Sequence, residues 1–133
     1  MPFISRAWAI ALLLCLALAT AACGTATLPA SLRTAQAQPD ACMDALMTGS
    51  LDRHPQTGLG IGTSDLEITP VEWPFGYSAR MDVASIVLLN EKGVVVAREH
   101  DRVSVGGGMG GAGPVPGLWF ACGAVQVESN EGG

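Results

Sequence analysis

His100 stands between Glu99 and Asp101, and that trio is where an acid–base or metal chemistry would first be sought. A histidine titrates near neutrality, and a neighbouring carboxylate can orient it. Yet adjacent side chains diverge on an extended chain, and Arg98 to Arg102 has the composition of a solvated corner. The pair Glu99 and Asp101 offers too few oxygens for a tight Ca²⁺ site. His54 is the one other histidine, and neither Ser78 nor Ser85 has an evident partner. No catalytic residue is assigned, no metal or cofactor is expected, and the expectation is a protein that is not an enzyme. The other candidates are aromatic. Trp73, Phe75 and Tyr77 fall at i, i+2 and i+4, broken by Pro74 and Gly76, and Trp119 lies downstream. Exposed together, the four would stack a ligand; buried, they would cap the end of a barrel. The glycine-rich run Gly106–Gly117 lacks the GK[ST] of a phosphate loop and opens no helix. It reads as a mobile rim loop.

The elements that would position these groups are strands. Ser85–Asn90 and Gly93–Ala97 are rich in Ile, Val and Leu, residues that crowd a helix but pack on a pleated surface. Asn90-Glu91-Lys92-Gly93 between them is hairpin turn chemistry. A corner at 98–102 leads to a short strand with Val103 and Val105 on one face. Upstream, Leu59–Thr63 and Leu66–Val71 alternate around Ser64-Asp65, with Pro70 marking an edge or an end. Ala41–Leu51 fits a short helix capped by Asp40 or a strand, and the strand is preferred. Leu118–Val127 closes the unit as a final strand. The expectation is all-β: a small closed or partly open barrel of five to six short strands.

The chain has 133 residues, room for one domain. Ala7–Ala19 is an apolar run of thirteen residues, short of the roughly 20 that span a bilayer. It reads as a signal-peptide core, with residues 1–22 removed on export. Ala19-Thr20-Ala21-Ala22-Cys23 resembles the lipobox of bacterial lipoproteins, which implies a lipid-modified Cys23. Ordinary cleavage near Ala21 or Ala37, or an uncleaved anchor, is the alternative. Residues 23–40, poor in large apolar groups, read as a flexible linker, whose length of about 5–6 Å × √n gives roughly 23 Å. The folded domain is then 41–127 and the tail 128–133. Cys15 leaves with the signal and Cys23 with the lipid, so Cys42 and Cys122 remain. In an exported protein they are expected to form a disulfide, two buried thiols being the alternative. Setting Arg6 aside, six Lys and Arg face twelve Asp and Glu. That balance argues against nucleic acid and against anionic membrane surfaces as partners, since phosphate binding wants a cationic patch.

Trp73-Pro74-Phe75-Gly76-Tyr77-Ser78, Gly93-Val94-Val95-Val96-Ala97-Arg98-Glu99 and Asp101-Arg102-Val103-Ser104-Val105-Gly106-Gly107-Gly108 together resemble a small domain of uncharacterised bacterial exported proteins and lipoproteins. Its pattern is about WPxGYS, then GxVVAREGD, then VxVGGG, and His100 replaces the glycine before the aspartate. The resemblance implies an OB-like barrel and an exported location, and no activity. The functional expectation is a lipoprotein of the cell membrane or outer membrane, or else a freely secreted or periplasmic protein. It would bind a small molecule, a glycan or an envelope protein, or serve as a structural accessory without a ligand; an envelope hydrolase using His100 is the less favoured alternative.

Overall fold

The computed structural model describes residues 28–110 and 113–129. The expected signal peptide and Cys23 lie outside them. The described chain holds ten strands and no helix: β1 Leu28–Ala30, β2 Ala45–His54, β3 Gly58–Ser64, β4 Glu67–Glu72, β5 Ser78–Asp82, β6 Ser85–Leu89, β7 Val95–Arg98, β8 Arg102–Met109, β9 Trp119–Ala121 and β10 Gln126–Val127. Five of them close a barrel in the order β8-β2-β3-β4-β9, with β9 returning to β8. β9 runs parallel to β4 and antiparallel to β8. This is a Greek-key barrel of the OB type. β10 pairs with β8 beyond β9, and a second sheet, β1-β5-β6-β7, is built from β5–β7, inserted between the third and fourth barrel strands, and from β1, which precedes the first.

Alternation builds the core. Leu51, Leu59, Ile61, Val71, Val103 and Val105 point inward from successive barrel strands and are fully buried. Ile86 and Leu88 join the same cluster from β6. Closure leaves none of the five barrel strands with a free edge. β4 is therefore not an edge strand. Pro70 is tolerated because it pairs with Gly60 on β3 and lies just before Val71 and Glu72, where the pairing with β9 occurs.

Four further expectations are corrected. The linker 23–40 is not free over its described part. Leu28–Ala30 pairs with Ala79–Met81, Thr34 bridges to Trp73, and the Arg33 N–H donates to the Thr57 carbonyl at 3.0 Å. The segment buries little of itself; the open edge of β5 captures it through backbone hydrogen bonds. Gly58 is required where it crosses, because φ is +82° and an added Cβ would meet the Ser31 carbonyl. Second, Gly106–Gly108 do not end a strand but lie inside β8. A Cβ on Gly107 would strike the Phe120 carbonyl, so the glycines admit β9 at close range. Third, the closing segment is two strands, because after Ala121 the chain leaves β4 and continues along the edge of β8 opposite β2, where Gln126 pairs with Ser104. Fourth, Glu128 is no frayed tail. Its N–H donates to the Arg102 carbonyl at 2.8 Å, and its carboxylate accepts from Arg102 Nε at 2.7 Å and Ser104 Oγ at 2.9 Å.

The hairpin β6–β7 forms as its residues dictate, with Gly93 at φ +74° and Asn90 Oδ1 accepting the Lys92 and Val94 N–H groups. The Cys42–Cys122 disulfide is present, with Cα atoms 5.5 Å apart.

Candidate ligand pocket

Trp73 anchors the aromatic segment and is not itself available. It is fully buried, and its Nε1–H donates to the Leu59 carbonyl at 3.0 Å. Its backbone is tied on both sides to the N-terminal segment, through the Arg33 carbonyl and the Ala35 N–H. Past this fixed point the chain turns sharply. Tyr77 N–H donates to the Pro74 carbonyl, and Gly76 takes φ +84°. A Cβ at Gly76 would come within 2.8 Å of Glu91 Cβ. The turn therefore brings Phe75 to the surface, turns Tyr77 inward and seats Glu91 of the β6–β7 turn above them.

These residues line a cavity of about 360 Å³ with Gln38, Pro74, Cys122, Gly123 and Ala124. Phe75 is 46% exposed and Tyr77 9%. Burial pushes the Tyr77 phenol above its ordinary pKa; the Val125 backbone opposes this and the Glu91 charge adds to it. The phenol stays neutral beside the acidic Glu91. The cavity offers one half-exposed aromatic face, a carboxylate and an amide, at the small end of the range for ligand sites.

The other proposed aromatics are not there. Trp119 is buried in the barrel, its Nε1 without a hydrogen-bond partner among the described residues. The four candidates thus separate into two core residues, Trp73 and Trp119, one cavity wall, Tyr77, and one surface ring, Phe75. Sequence reasoning missed Glu91 and Gln38, which come from remote segments. Only the positive φ demanded at Gly76 hinted at a close neighbour.

Two other cavities are present. One of about 240 Å³ lies on the opposite side of Cys122, among Ala35, Pro39, Met43 and Phe120. The other, about 480 Å³, is a polar groove on the outside of the barrel lined by Ser50, Asp52, Thr63, Asp65 and Arg102. OB barrels use the face of their second and third strands for oligonucleotides and oligosaccharides. Here that face carries Gly60, Gly62, Ile68 and Pro70, with no aromatic ring to stack and no cation.

The histidine corner is a brace. His100 takes φ +75°, the conformation for which the resembling pattern uses glycine. Its Nδ1 lies 3.2 Å from Asp52 Oδ1 and its Nε2 3.6 Å from Glu99 Oε2. Glu99 is held in turn by Arg53 Nε at 3.0 Å and by the Ile86 N–H at 2.8 Å. Asp101 accepts the Arg98 N–H. The two carboxylates face different partners, and no Ser, Thr or Cys hydrogen-bonds to either histidine among the described residues. Nor does any group of three His, Cys, Asp or Glu among them form a cation site.

Burial disfavours the charged Glu99, but the Ile86 N–H and Arg53 outweigh it, and its pKa is lowered. A lowered folded pKa contributes stability above the unfolded value, and that stability is lost as pH falls through the folded one. Asp82 and Glu128 shift the same way. The expected result is a urea midpoint that drops below about pH 4.3, with a shallower drop in Glu99→Gln. Equal slopes in the two proteins would show that Glu99 carries none of the acid sensitivity.

No known family model, curated protein or solved structure matches the chain.

Proposed function

We propose that this chain is an exported, lipid-anchored binding module that holds a small saccharide at the Phe75–Glu91 cavity. The observation that carries the reading is Phe75 itself. It is a large apolar ring, half exposed, lining a cavity that Glu91 also lines with a carboxylate. A sugar ring presents an apolar C–H face to an aromatic and hydroxyl donors to a carboxylate and an amide, and Glu91 and Gln38 supply those acceptors. The acidic balance of the chain favours a neutral or cationic ligand over an anionic one. The disulfide is consistent with an exporting route, and the apolar run before Cys23 supports the anchor.

The test is a backbone amide NMR titration with a panel of neutral and amino sugars. Shifts clustered at Phe75, Gly76, Tyr77 and Glu91, abolished in Phe75→Ala without a change in melting temperature, are expected. No shift with any sugar, or shifts that survive Phe75→Ala, would remove the proposal. Burial of Trp73, Tyr77 and Trp119 favours a second reading, a ligand-free accessory protein, and a silent panel would support it.

A further inference from the structure

The chain enters the fold at one end of the second sheet. Leu28 pairs with Met81, so the residues before it leave beside the β5–β6 turn, Asp82-Val83-Ala84-Ser85. Two apolar side chains are exposed there: Leu28 at 62% and Val83 at 98%. Val83 also has φ +57°. A β-branched residue in that conformation is strained, and glycine or asparagine would relax it. An apolar side chain is thus kept, at a conformational cost, where water alone meets it. Three guanidinium groups surround this end. Arg53 donates to the Ala84 carbonyl at 3.0 Å while also paired with Glu99, Arg98 pairs with Asp82, and Arg80 lies two residues before Asp82 on β5. Arg80 Nε is buried and has no hydrogen-bond partner among the described residues, so only the outer end of that guanidinium can reach a phosphate. These are three of the six Lys and Arg that follow Cys23.

Five residue steps separate Cys23 from Leu28. At about 3.3–3.6 Å each they reach at most about 18 Å. A lipid on Cys23 therefore cannot hold this end far from the head groups, because the expected linker is docked on the protein from Leu28 to Ala35. We propose that Leu28 and Val83, ringed by Arg53, Arg80 and Arg98, form the face that rests on the anchoring bilayer. The apolar pair enters the interfacial region and the arginines meet lipid phosphates, the arrangement of peripheral membrane surfaces. The Phe75–Glu91 cavity lies at the other end of the same sheet, where β5 begins and where the β6–β7 turn sits. Five residues of strand at about 3.3 Å each separate the two ends by roughly 17 Å. The molecule would stand with its cavity turned away from the membrane. This inference rests on the anchoring at Cys23 proposed above.

The test uses full-length chain taken from host membranes and reconstituted in phosphatidylcholine–phosphatidylglycerol vesicles with brominated acyl chains. Intact mass is measured first, to show acylation at Cys23. Tryptophan reporters are then placed at Ala84 and at Lys92, both exposed turn positions, with the unsubstituted protein as background. The result expected is loss of emission for Ala84→Trp and none for Lys92→Trp. Hydrogen exchange on the unsubstituted protein provides a check free of substitution: amides 83–85 gain protection on vesicles and amides 91–93 do not. An acylated protein with no quenching at Ala84→Trp, or with equal quenching at both sites, and no added protection at 83–85, overturns the orientation alone. A lipid-free mass overturns the anchoring and the orientation with it.

Discussion

Reducing the Cys42–Cys122 bridge lowers the melting temperature by roughly 20 °C, the largest effect expected of any single covalent change in this domain. The bridge closes a loop with a sequence separation of 80 residues, which the chain-entropy model values at about 4.5 kcal/mol. Small domains have only about 5–15 kcal/mol in total, and each kcal/mol moves the midpoint by about 4–8 °C at this size. The local structure adds a second reason. No backbone hydrogen bond ties residues 36–41 to the barrel, and residues 36–44 are exposed along their length. The disulfide holds that segment against β9, where it walls the cavities on both sides of Cys122. Calorimetry with and without a dithiol reductant measures the effect, and the Cys42→Ala/Cys122→Ala protein controls for it. That protein should melt at the reduced temperature and ignore the reductant. A reduced protein that melts within a few degrees of the oxidised one would show that backbone pairing alone holds β9.

The β-branched runs, the Asn90–Gly93 turn, the Cys pairing and the inward alternation of Val103 and Val105 were all legible in the sequence, because each is a local property of few residues. A small barrel was legible as a class for the same reason, from short strands, regular turns and no helical period, but whether it closes was not. The failures share a cause as well. The segment 28–35 has no composition that announces a strand; its place is set by the unpaired edge of β5, which is a property of the assembled sheet. Gly106–Gly108 read as a loop, since glycine is scarce in strands. The close approach of Phe120 that demands them involves a strand more than ten residues away. The aromatic segment failed in an instructive way. Its i, i+2, i+4 spacing suggested one face, but the positive φ at Gly76 rotates the chain between Phe75 and Tyr77. A shared platform became a surface ring, a cavity wall and a core anchor. Glu91 could not be paired with Phe75 from sequence, because a hairpin's tip meets a loop only once register is known.

That division of the aromatics sets up the second large effect. Trp73→Ala destabilises the domain by about 3–5 kcal/mol, the range for removing a buried tryptophan, and so by well over 10 °C. Trp73 is the largest fully buried side chain. Its loss opens a cavity between β3, β4 and the N-terminal segment, and it strips one of two donors from the Leu59 carbonyl, leaving Thr57 Oγ1 at 2.9 Å. Trp73→Phe restores most of the ring volume and forfeits the hydrogen bond, about 1 kcal/mol, so it should fall between wild type and alanine. Phe75→Ala, two residues on, removes a ring that is already 46% exposed, and should cost little stability. For the proposed saccharide site the expected order is the opposite. Phe75→Ala abolishes it in a protein that melts normally, while Trp73→Phe retains it as long as the domain is folded. Thermal melts and sugar titrations on the three variants separate the roles. If Trp73→Ala and Phe75→Ala shifted the midpoint equally, Trp73 would not be the anchor of the turn. The inward placement of Tyr77 and the seating of Glu91 over Gly76 would then need another support.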